Sequence, residues 1–414
     1  MNPSLISPGR YAWILVALLF PVALLNYLDR QMIAAMKASV MADVNGITLE
    51  SQWGYMLGQF KWVYAILSPV GGYIADRFSR RWTICGSLFA WSFITWLTGH
   101  VTSYEGLLWT RTAMGVSEAF YIPAALALIS DYHRGPTRSR ATGIHQMGIY
   151  CGVILGGFAG YAADAPGLGW RWAFDITGSV GILYAIPLFL LLRDVRPHAA
   201  ESGPRPSAGA SVKELLTNGS FLLLVAYFTL PALAGWVVRD WMPAILQQSF
   251  NISQGLAGVS ATLYWQSAAI AAALAGGWLA DRWMRRTERG RIYVSALGMA
   301  LIIPALFGVG NSPALGSFAL AIASLVLFGI GWGFFDTNNM PILCQIARPH
   351  LRATGYGIMN FVSISCGGFA DWGFGAMRDR AVPLNLIFGV FAAACVVSVV
   401  LVLLIRPRKT EGPG

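Results

Sequence analysis

The sequence predicts an all-α polytopic membrane protein with twelve transmembrane helices in two pseudo-symmetric six-helix bundles. Three observations support this fold class: a hydrophobic content of 56%, apolar runs long enough to cross a bilayer, and phrases repeated once per half. The mean hydropathy of +0.57 is far above that of an ordinary soluble domain. A chain of 414 residues with this composition therefore belongs in a membrane.

Apolar runs recur along nearly the whole chain, with short polar connections. A spanning helix needs about 20 apolar residues, and we count about twelve such runs. Examples are Tyr11 to Tyr27, Thr83 to Leu97, Gly178 to Leu192, Ile292 to Val309, Phe318 to Phe335 and Leu386 to Ile405. The first run has no small-residue cleavage site after it, so we interpret it as the first spanning helix rather than a secretory signal.

One long polar stretch divides the apolar runs into two sets of six. Residues 194–216 are rich in Pro, Gly, Ser and Ala, which is typical of a flexible linker. The predicted organisation is an N-terminal six-helix bundle at 1–193, a cytoplasmic linker at 194–216 and a C-terminal six-helix bundle at 217–414.

The net charge of +10 is explained by membrane topology. Most Lys and Arg residues lie in alternate connections, which is the pattern of the positive-inside rule. We therefore expect a multi-pass protein of the cell inner (plasma) membrane, in contact with membrane lipid, with both termini and the linker in the cytoplasm. No nucleic-acid-binding surface is needed to explain the basic residues.

The two halves carry the same phrases in the same order. GGYIADRFSRR at 71–81 returns as GGWLADRWMRR at 276–286, and GVSEAFYIP at 115–123 is matched by GFFDTNNMP at 333–341. RATG and GGFA also recur. Internal repeats of this kind are typical of secondary transporters, whose halves rock around a central site.

The repeated charged phrase resembles the signature cytoplasmic loop of the major facilitator superfamily, and the resemblance extends over nearly the full chain. Ser79 and Met284 stand where that loop usually has glycine before its basic pair. The resemblance implies a cytoplasmic gate at Gly72, Asp76, Arg77, Arg80, Arg81, Gly277, Asp281, Arg282, Arg285 and Arg286. Charge-assisted hydrogen bonds between Asp and Arg would latch neighbouring helices; the alternative is that these residues only mark topology.

Within that superfamily, two subgroups are similar to this sequence. NYLDR in the first span, with R-x6-E and a following Pro in the fourth, resembles the anion:cation symporters, which carry sugar acids and other organic anions. FSRR in the loop resembles the Spinster-like lipid transporters. The first resemblance implies that Arg30 binds the substrate carboxylate and that Asp29 and Glu118 carry protons.

Charged residues inside spans support this interpretation independently. Each costs roughly 2.5 to 3.5 kcal/mol even on the lenient insertion scale. The sequence places Asp29, Arg30, Arg111, Glu118 and Asp336 in predicted spans. They must be paired or face a hydrated cavity, because their combined cost unpaired would be on the order of 10 kcal/mol.

Their spacing suggests how the charges are arranged. Arg111 and Glu118 are two helical turns apart and share a face, whereas Asp29 and Arg30 point about 100° apart and address different neighbours. A substrate that competes for Arg30 would ease proton uptake at Asp29 or Glu118. Asp336, the repeat mate of Glu118, could tune coupling. The alternative is a static salt-bridge network, with Arg111 as a structural partner of an acid.

Polar side chains in other spans suit a hydroxylated ligand. The substrate-binding candidates, besides Arg30, are Asn26, Tyr27, Arg111, Tyr121, Gln146, Tyr150, Tyr264, Gln266, Asn338, Asn339 and Asn360. Each could instead bond to a neighbouring helix. Lys61, early in the second span, could draw anions inward or extend to the outer headgroups.

The sequence therefore predicts a proton-coupled symporter of a small organic anion, such as a hexuronate or aldonate, that works by alternating access. The alternative is a Spinster-like, proton-linked transporter of lysolipids or other amphiphiles. No Walker loop is present, and no His/Cys spacing indicates a metal site. We therefore expect no enzymatic activity, cofactor or metal. The resemblance to the superfamily implies a monomer.

Overall fold

The computed structural model is helical and describes residues 8–77, 79–133, 137–194, 208–348 and 351–407. Its helices are α1 (Pro8–Ala35), α2 (Lys37–Asp43), α3 (Glu50–Arg77), α4 (Arg80–Thr98), α5 (Tyr104–Glu118), α6 (Tyr121–Tyr132), α7 (Arg138–Gly157), α8 (Ala159–Asp164), α9 (Gly169–Leu191), α10 (Ala208–Leu216), α11 (Gly219–Phe250), α12 (Gln254–Met284), α13 (Gly290–Asn311), α14 (Phe318–Ile346), α15 (Arg352–Asp379) and α16 (Leu384–Leu404).

Twelve spans can be assembled from the helices within the described ranges, as predicted. The first six are α1, α3, α4, α5 with α6, α7 with α8, and α9, and the other six are α11 to α16. Seven of these spans are long and apolar enough to cross a membrane by length and composition alone. The other five, which include α3, α12 and α15, fall short of that hydropathy because they carry more polar and charged residues.

The chain folds into two compact units. The first comprises Met1–Glu201 with Asp240–Thr262, and the second comprises Ser202–Arg239 with Leu263–Gly414. Helices α11 and α12 therefore each contribute a segment to both units. The boundaries predicted at 193 and 217 stay predictions, and linker residues 195–207 lie outside the described residues.

In the first unit, α7 packs closely on α1 through three glycines spaced four residues apart. A Cβ on Gly148 would lie 2.8 Å from the carbonyl oxygen of Phe20, and one on Gly152 would overlap that of Leu24. Gly156 continues the seam one turn further along α7. Small residues allow this approach of two helix backbones. The seam fixes α1, which carries Asn26, Asp29 and Arg30.

The fourth span is broken in the middle. Helix α5 ends at Glu118, a turn covers 119–120, and α6 begins at Tyr121. Pro123 explains the break, because its ring excludes the hydrogen bond to the carbonyl of Ala119 and clashes with that group. Near the end of α5, the carbonyl of Ser117 accepts a hydrogen bond from the hydroxyl of Ser87. Glu118 is thus the last residue of a helix that stops inside the span.

The second unit packs through a similar use of glycine. On α13 and α14, Gly298 and Gly331 face each other so closely that a Cβ on either would lie 2.6 Å from the other's carbonyl oxygen. Phe335 of α14 packs its ring against Tyr227 at 5.4 Å and Trp332 at 5.2 Å. Unlike α5–α6, α14 continues through its proline, Pro341. The repeat is therefore not structurally symmetric at this point.

Candidate functional site

The centre of the candidate site is an ion pair between α1 and α5. Arg30 Nε donates to Glu118 Oε2 at 2.5 Å. The Glu118 side chain is fully buried, and that of Arg30 is 9% exposed. Removing one partner of such a pair typically costs about 3–5 kcal/mol, because the other charge is left uncompensated.

Three aromatic rings surround the guanidinium of Arg30. Its central carbon lies 4.8 Å from the ring centroids of Tyr27 and Phe60 and 4.6 Å from that of Tyr64. A cation near a ring face gains about 0.5–2 kcal/mol, with the larger values where water is excluded. The rings hold the guanidinium in place, yet its Nη2 atom is buried without a hydrogen-bond partner among the described residues.

Arg111 is the least satisfied cation of the site. It is 2% exposed, and its Nε and Nη1 atoms have no hydrogen-bond partner within the described part of the chain. Its guanidinium lies 5.2 Å from the ring centroid of Phe60, with Glu118, Arg30 and Asp29 within electrostatic range. Buried, unpartnered N–H groups are costly, and a carboxylate oxygen can accept a hydrogen bond from such a group.

Asp29 points to a different neighbour from Arg30, which confirms the prediction made from their adjacency. Its Oδ2 atom accepts a hydrogen bond from Thr95 Oγ1 at 2.9 Å, whereas Oδ1 is buried with no partner among the described residues. Asp29 itself is 1% exposed. A carboxyl group held by one hydroxyl in a dry setting is well suited to exchange a proton.

A second buried ion pair lies in the same unit. Lys61 Nζ of α3 donates to Asp240 Oδ2 of α11 at 2.5 Å, and both side chains are buried. Of the two alternatives for Lys61, extension to the outer headgroups is therefore wrong. The ammonium of Lys37 pairs with Glu50 and lies 5.1 Å from the ring centroid of Trp241, the residue after Asp240.

Other predicted residues of the first unit have varied surroundings. Asn26 is buried beside Glu118. Tyr121 lies in the hydrophobic core, where its hydroxyl contacts the Leu19 carbonyl at 3.2 Å and His145 Nε2 at 2.9 Å. Because the carbonyl can only accept, the tyrosine proton is directed to Leu19 and His145 donates from Nε2. Gln146 and Tyr150 are half-buried on α7.

The remaining candidates lie in the second unit. Asp336 is exposed on α14, and Tyr264 is 43% exposed on α12. Asn338 is buried and its Nδ2 atom donates to the Phe334 carbonyl at 2.9 Å. The other three predicted residues are Gln266 and Asn339, both buried, and Asn360, which is half-buried.

The first of the two charged loops binds neighbouring helices of its own unit. Arg80 pairs with Asp131 at the end of α6. Arg81 Nε donates to the Phe189 carbonyl of α9 at 3.0 Å. The side chains of Gly72, Asp76 and Arg77 lie outside the described residues.

In the second loop, Asp281 lies 3.7 Å from Arg291 of α13, which is an ion pair rather than a hydrogen bond. The guanidinium of Arg282 lies 5.7 Å from the Trp278 ring centroid. Gly277 is half-buried, and Arg285 and Arg286 are exposed. The gate function of both loops stays a prediction.

Sequence reasoning missed several charges inside spans. Asp240 follows Arg239 in the apolar phrase VVRDW, and Asp371 is fully buried within the phrase GGFADW. A systematic search for charges inside every apolar run would have found them. Their partners could not be read from the sequence, because Lys61 and Asp240 are 179 residues apart.

No cluster of three or more His, Cys, Asp or Glu side chains suited to a metal ion is found among the described residues. The five cysteines are all free, and Cys85 and Cys395 are buried.

Comparison with known proteins identifies what the chain resembles. The family model described as Major Facilitator Superfamily matches residues 19–370. Protein spinster of Drosophila melanogaster is 27% identical over 374 residues, covering 87% of this chain and 61% of that protein. Protein spinster homolog 1 of Homo sapiens is 32% identical over 252 residues, covering 59% of this chain and 47% of that protein. The chain therefore spans only about half to three-fifths of these two relatives.

A bacterial relative and the solved structures match over more of their length. The D-galactonate transporter of Escherichia coli O6:H1 is 24% identical over 389 residues, covering 86% of each chain. The crystal structure of a bacterial homologue of the human lysosomal transporter Spinster aligns with a TM-score of 0.77 and 20% identity, covering 95% of each chain. A D-xylose–proton symporter aligns with a TM-score of 0.73 and 17% identity, covering 97% of this chain and 99% of the other. At these identities, the structural likenesses concern the fold.

Proposed function

This chain belongs to the Major Facilitator Superfamily, and from this premise we propose that it is a secondary active symporter of an organic anion and protons. The proposed substrate is a small sugar acid, such as a hexuronate or an aldonate. Transport proceeds by alternating access around the charged cluster of the first unit, and the residues that carry it are Arg30, Arg111, Asp29 and Glu118.

The observation that carries the proposal is the contact between Arg30 and Glu118 beside the unpartnered donors of Arg111. A substrate carboxylate has the planar shape and charge that a guanidinium binds best. It can accept hydrogen bonds from the unpartnered N–H groups of Arg111, and it can compete with Glu118 for Arg30. The ion pair is thus the arrangement of the empty site, and an incoming anion can replace Glu118 as the partner of Arg30.

Proton coupling follows from this competition. When an anion takes Arg30, the Glu118 carboxylate loses its counterion in a buried place, and its ionised form becomes unfavourable. A proton that binds a Glu118 oxygen removes the charge and lets the arginine stay with the anion. After release of the anion on the other side, the proton leaves and the ion pair forms again. Asp29, with its single hydroxyl donor, is the second proton-binding group.

One of the relatives supports an anionic substrate. D-Galactonate is an aldonate, and the protein of that name matches the chain over 86% of both lengths. The polar side chains near the pair, Asn26 and Tyr27 among them, can bond hydroxyl groups of such a ligand. For Asp336 we propose that it tunes the coupling from the second half of the chain.

A second candidate function is favoured by the Spinster relatives. Transport of a lysolipid or another amphiphile, which that resemblance implies, would use the same buried charges for a phosphate and the rings of Tyr27, Phe60 and Tyr64 for its apolar part. Phosphate also binds arginine in bidentate fashion. The two candidates therefore share the charged site and differ in the ligand's apolar tail.

We further propose that the protein is a monomer in the inner membrane, with both termini in the cytoplasm. The alternation of basic connections along the chain supports this orientation. Protons, the anion and the surrounding lipid are its proposed partners.

The test uses purified protein in liposomes with an imposed pH gradient, acidic outside. Uptake is measured for D-galactonate, a hexuronate and a labelled lysolipid, with Arg30→Ala and Glu118→Gln beside the wild type. We expect gradient-driven uptake of a sugar acid that Arg30→Ala abolishes. Uptake of the lysolipid alone would instead establish the second candidate. Uptake that ignores the gradient in the wild type and survives Glu118→Gln would show that the charges are only structural.

A further inference from the structure

Polar side chains of α2 and α8 bind the first residue of α12. Gln254 begins α12 and is 6% exposed. Its Nε2 atom donates to Ser39 Oγ at 2.6 Å and to Asp164 Oδ1 at 3.1 Å. Its Oε1 atom accepts a hydrogen bond from the backbone N–H of Ser39 at 3.1 Å. The amide of Gln254 therefore joins α12 to both of the other helices.

Asp164 also caps the N-terminus of α12. The N–H groups in the first turn of a helix have no partner within that helix. Ser253 Oγ, directly before α12, accepts a hydrogen bond from the N–H of Leu256 at 3.2 Å, and Asp164 Oδ2 accepts one from that of Gly255 at 2.7 Å. A carboxylate is favoured here because the helix dipole is positive at this end. One of these capping groups thus comes from another helix.

Glycines bring α12 against α7 and α8 beside this cap. A Cβ on Gly258 would overlap the carbonyl oxygen of Gly157 in α7. A Cβ on Gly160 in α8 would overlap the carbonyl oxygen of Gln254. Helix backbones this close leave no room for a substrate between them. The contact between these helices is therefore closed in this structure.

The contact lies at the end of α12 that is distant from the second charged loop. Helix α12 has 31 residues. At 1.5 Å per residue it is about 46 Å long, which exceeds the hydrocarbon core of a bilayer. Its other end carries Asp281 and Arg282, in a loop that the proposed orientation places in the cytoplasm. In that orientation, Gln254 is on the outer side.

This contact also joins the two sequence repeats. Helices α2, α7 and α8 belong to the first repeat, whereas α12 belongs to the second. Rocking of one repeat against the other opens each side of the membrane in turn. An outer contact between the repeats must therefore separate once in every cycle. Hydrogen bonds suit such a contact, because water replaces them at little net cost.

We infer that Asp164 is a detachable cap of α12, and that its contact and that of Ser39 with Gln254 and Gly255 form the outer gate of the transporter. This inference rests on the proposed function, since the gate serves the alternating access that the function requires. When the gate opens, the amide of Gln254 and the N–H of Gly255 exchange these partners for water. The strength of the cap sets how often the site is open to the outside.

The experiment detects opening through a cysteine placed behind the gate. Thr262 lies one turn beyond Gly258 on the face of α12 that meets Gly157, and it is 1% exposed. Spheroplasts that contain Thr262→Cys are treated with a membrane-impermeant maleimide, and labelling at position 262 is followed by mass spectrometry. The wild type, with its five free cysteines, gives the background. The rate of labelling measures how often the gate opens.

Two changes in the Thr262→Cys background weaken the closed gate in different ways. Asp164→Ala removes both hydrogen bonds that the carboxylate accepts, and we expect labelling to become about tenfold faster, which corresponds to about 1.4 kcal/mol. Gly258→Ala prevents closure by steric overlap and should accelerate labelling at least as much. Asp164→Asn keeps one acceptor oxygen and should lie between Asp164→Ala and the parent.

Asp43→Ala is the matched control. Asp43 Oδ2 accepts hydrogen bonds from Trp170 Nε1 at 3.0 Å and Arg171 Nε at 2.9 Å, and all three residues belong to the first repeat. This change removes bonds of the same kind without affecting α12, so labelling should keep the rate of the parent. Gly143→Ala, where the added methyl group meets nothing within 4 Å, is the control for the glycine change.

A second measurement holds the gate closed. Ser39→Cys with Gln254→Cys, joined by a short cross-linker that contains a disulfide, should lose uptake of D-galactonate, and reduction should restore it. The labelled lysolipid replaces D-galactonate if the wild type moves only lipid. The same reagent on Asp43→Cys with Arg171→Cys should leave uptake unchanged, because that pair lies within one repeat.

The inference is overturned if Asp164→Ala and Gly258→Ala are labelled at the rate of the parent. It is also overturned if Asp43→Ala accelerates labelling as much as Asp164→Ala does, since the effect would then not be specific to α12. Uptake that continues after cross-linking of Ser39→Cys with Gln254→Cys would overturn it as well.

These outcomes separate the inference from the proposed function. Labelling needs no substrate, so it tests the gate by itself. If the wild type moves one of the two probes with protons but labelling does not respond to Asp164→Ala or Gly258→Ala, only the gate inference fails. If the wild type moves neither probe with protons, the proposed function fails, and faster labelling of these variants still supports the gate.

Discussion

Arg30 of α1 and Glu118, the last residue of α5, meet at 2.5 Å in the buried interior of the first unit. The contact joins a helix fixed by its glycine seam to a helix that stops inside the span. Glu118 thus lies beside a break in the fourth span. In the proposed transport cycle, this pair dissociates when the anion binds and forms again after the anion is released.

We expect Glu118→Gln to separate exchange from accumulation. The amide can still accept a hydrogen bond from Arg30, but it cannot take up a proton. Counterflow of labelled substrate should stay within about threefold of the wild type, whereas accumulation driven by a pH gradient of one unit should fall about tenfold, the full gradient for one proton. Both are measured in the same proteoliposomes.

The matched control for this substitution is Glu105→Gln, since Glu105 is exposed in the first turn of the same helix. It should change neither readout. Accumulation by Glu118→Gln at the wild-type level would show that Glu118 does not carry the coupled proton.

Arg111→Lys tests whether the shape of the guanidinium matters. Lysine keeps the charge but lacks the planar fork that binds a carboxylate in bidentate fashion. We expect an increase in KM of about tenfold, corresponding to about 1.4 kcal/mol of lost binding, with a smaller change in kcat. Initial rates of uptake over a range of substrate concentrations give both constants.

Arg10→Lys is the control, because it makes the same exchange of arginine for lysine at an exposed position near the start of α1. Its KM should equal that of the wild type. If Arg111→Lys also keeps the wild-type KM, Arg111 contributes only charge, and Arg30 alone orients the anion.

The sequence predicts the helices, and the directions in which Asp29 and Arg30 point, for local physical reasons. Apolar runs determine the spans, and the adjacency of Asp29 and Arg30 requires that they face different neighbours. Those neighbours are Thr95 and Glu118. The break after Glu118 also has a local cause, Pro123, although the same proline position leaves α14 continuous.

Contacts between distant spans could not be predicted in this way. Nothing near Lys61 in the sequence indicates Asp240, because their contact depends on how α3 and α11 pack. Tyr121 illustrates the same limit: one turn from Glu118 on a helical wheel, it lies in the core because the helix is interrupted between them. Residue patterns indicate which residues share a face of a helix, whereas the packing of the spans determines which residues that face contacts.

Thr95→Val tests the role of Asp29. The Thr95 hydroxyl donates to the Asp29 carboxylate and so favours its ionised form. Without that bond, Asp29 holds its proton more firmly, and the pH profile of proton-driven uptake should move to higher pH. A shift of about one unit is expected, since a hydrogen bond to a charged group contributes about 1.5 kcal/mol.

Thr98→Val, one turn away, is the control for loss of a buried hydroxyl. Thr98 Oγ1 donates to the carbonyl of Ile94 and not to a carboxylate. Its substitution should leave the pH profile in place. An unchanged profile in Thr95→Val as well would exclude Asp29 from the titrating groups of the cycle.

Gly152→Ala tests the seam that positions α1. The added methyl group would overlap the carbonyl oxygen of Leu24, which belongs to a helix backbone and cannot move aside as a side chain can. Overpacking of this kind typically costs about 1–3 kcal/mol. We expect a lower Tm in detergent and a loss of uptake, because α1 carries Asp29 and Arg30. Gly143→Ala on the same helix meets nothing within 4 Å and should leave the Tm unchanged or slightly raised, since alanine favours the helix. Equal Tm values for the two variants would mean that α1 and α7 do not pack through this seam.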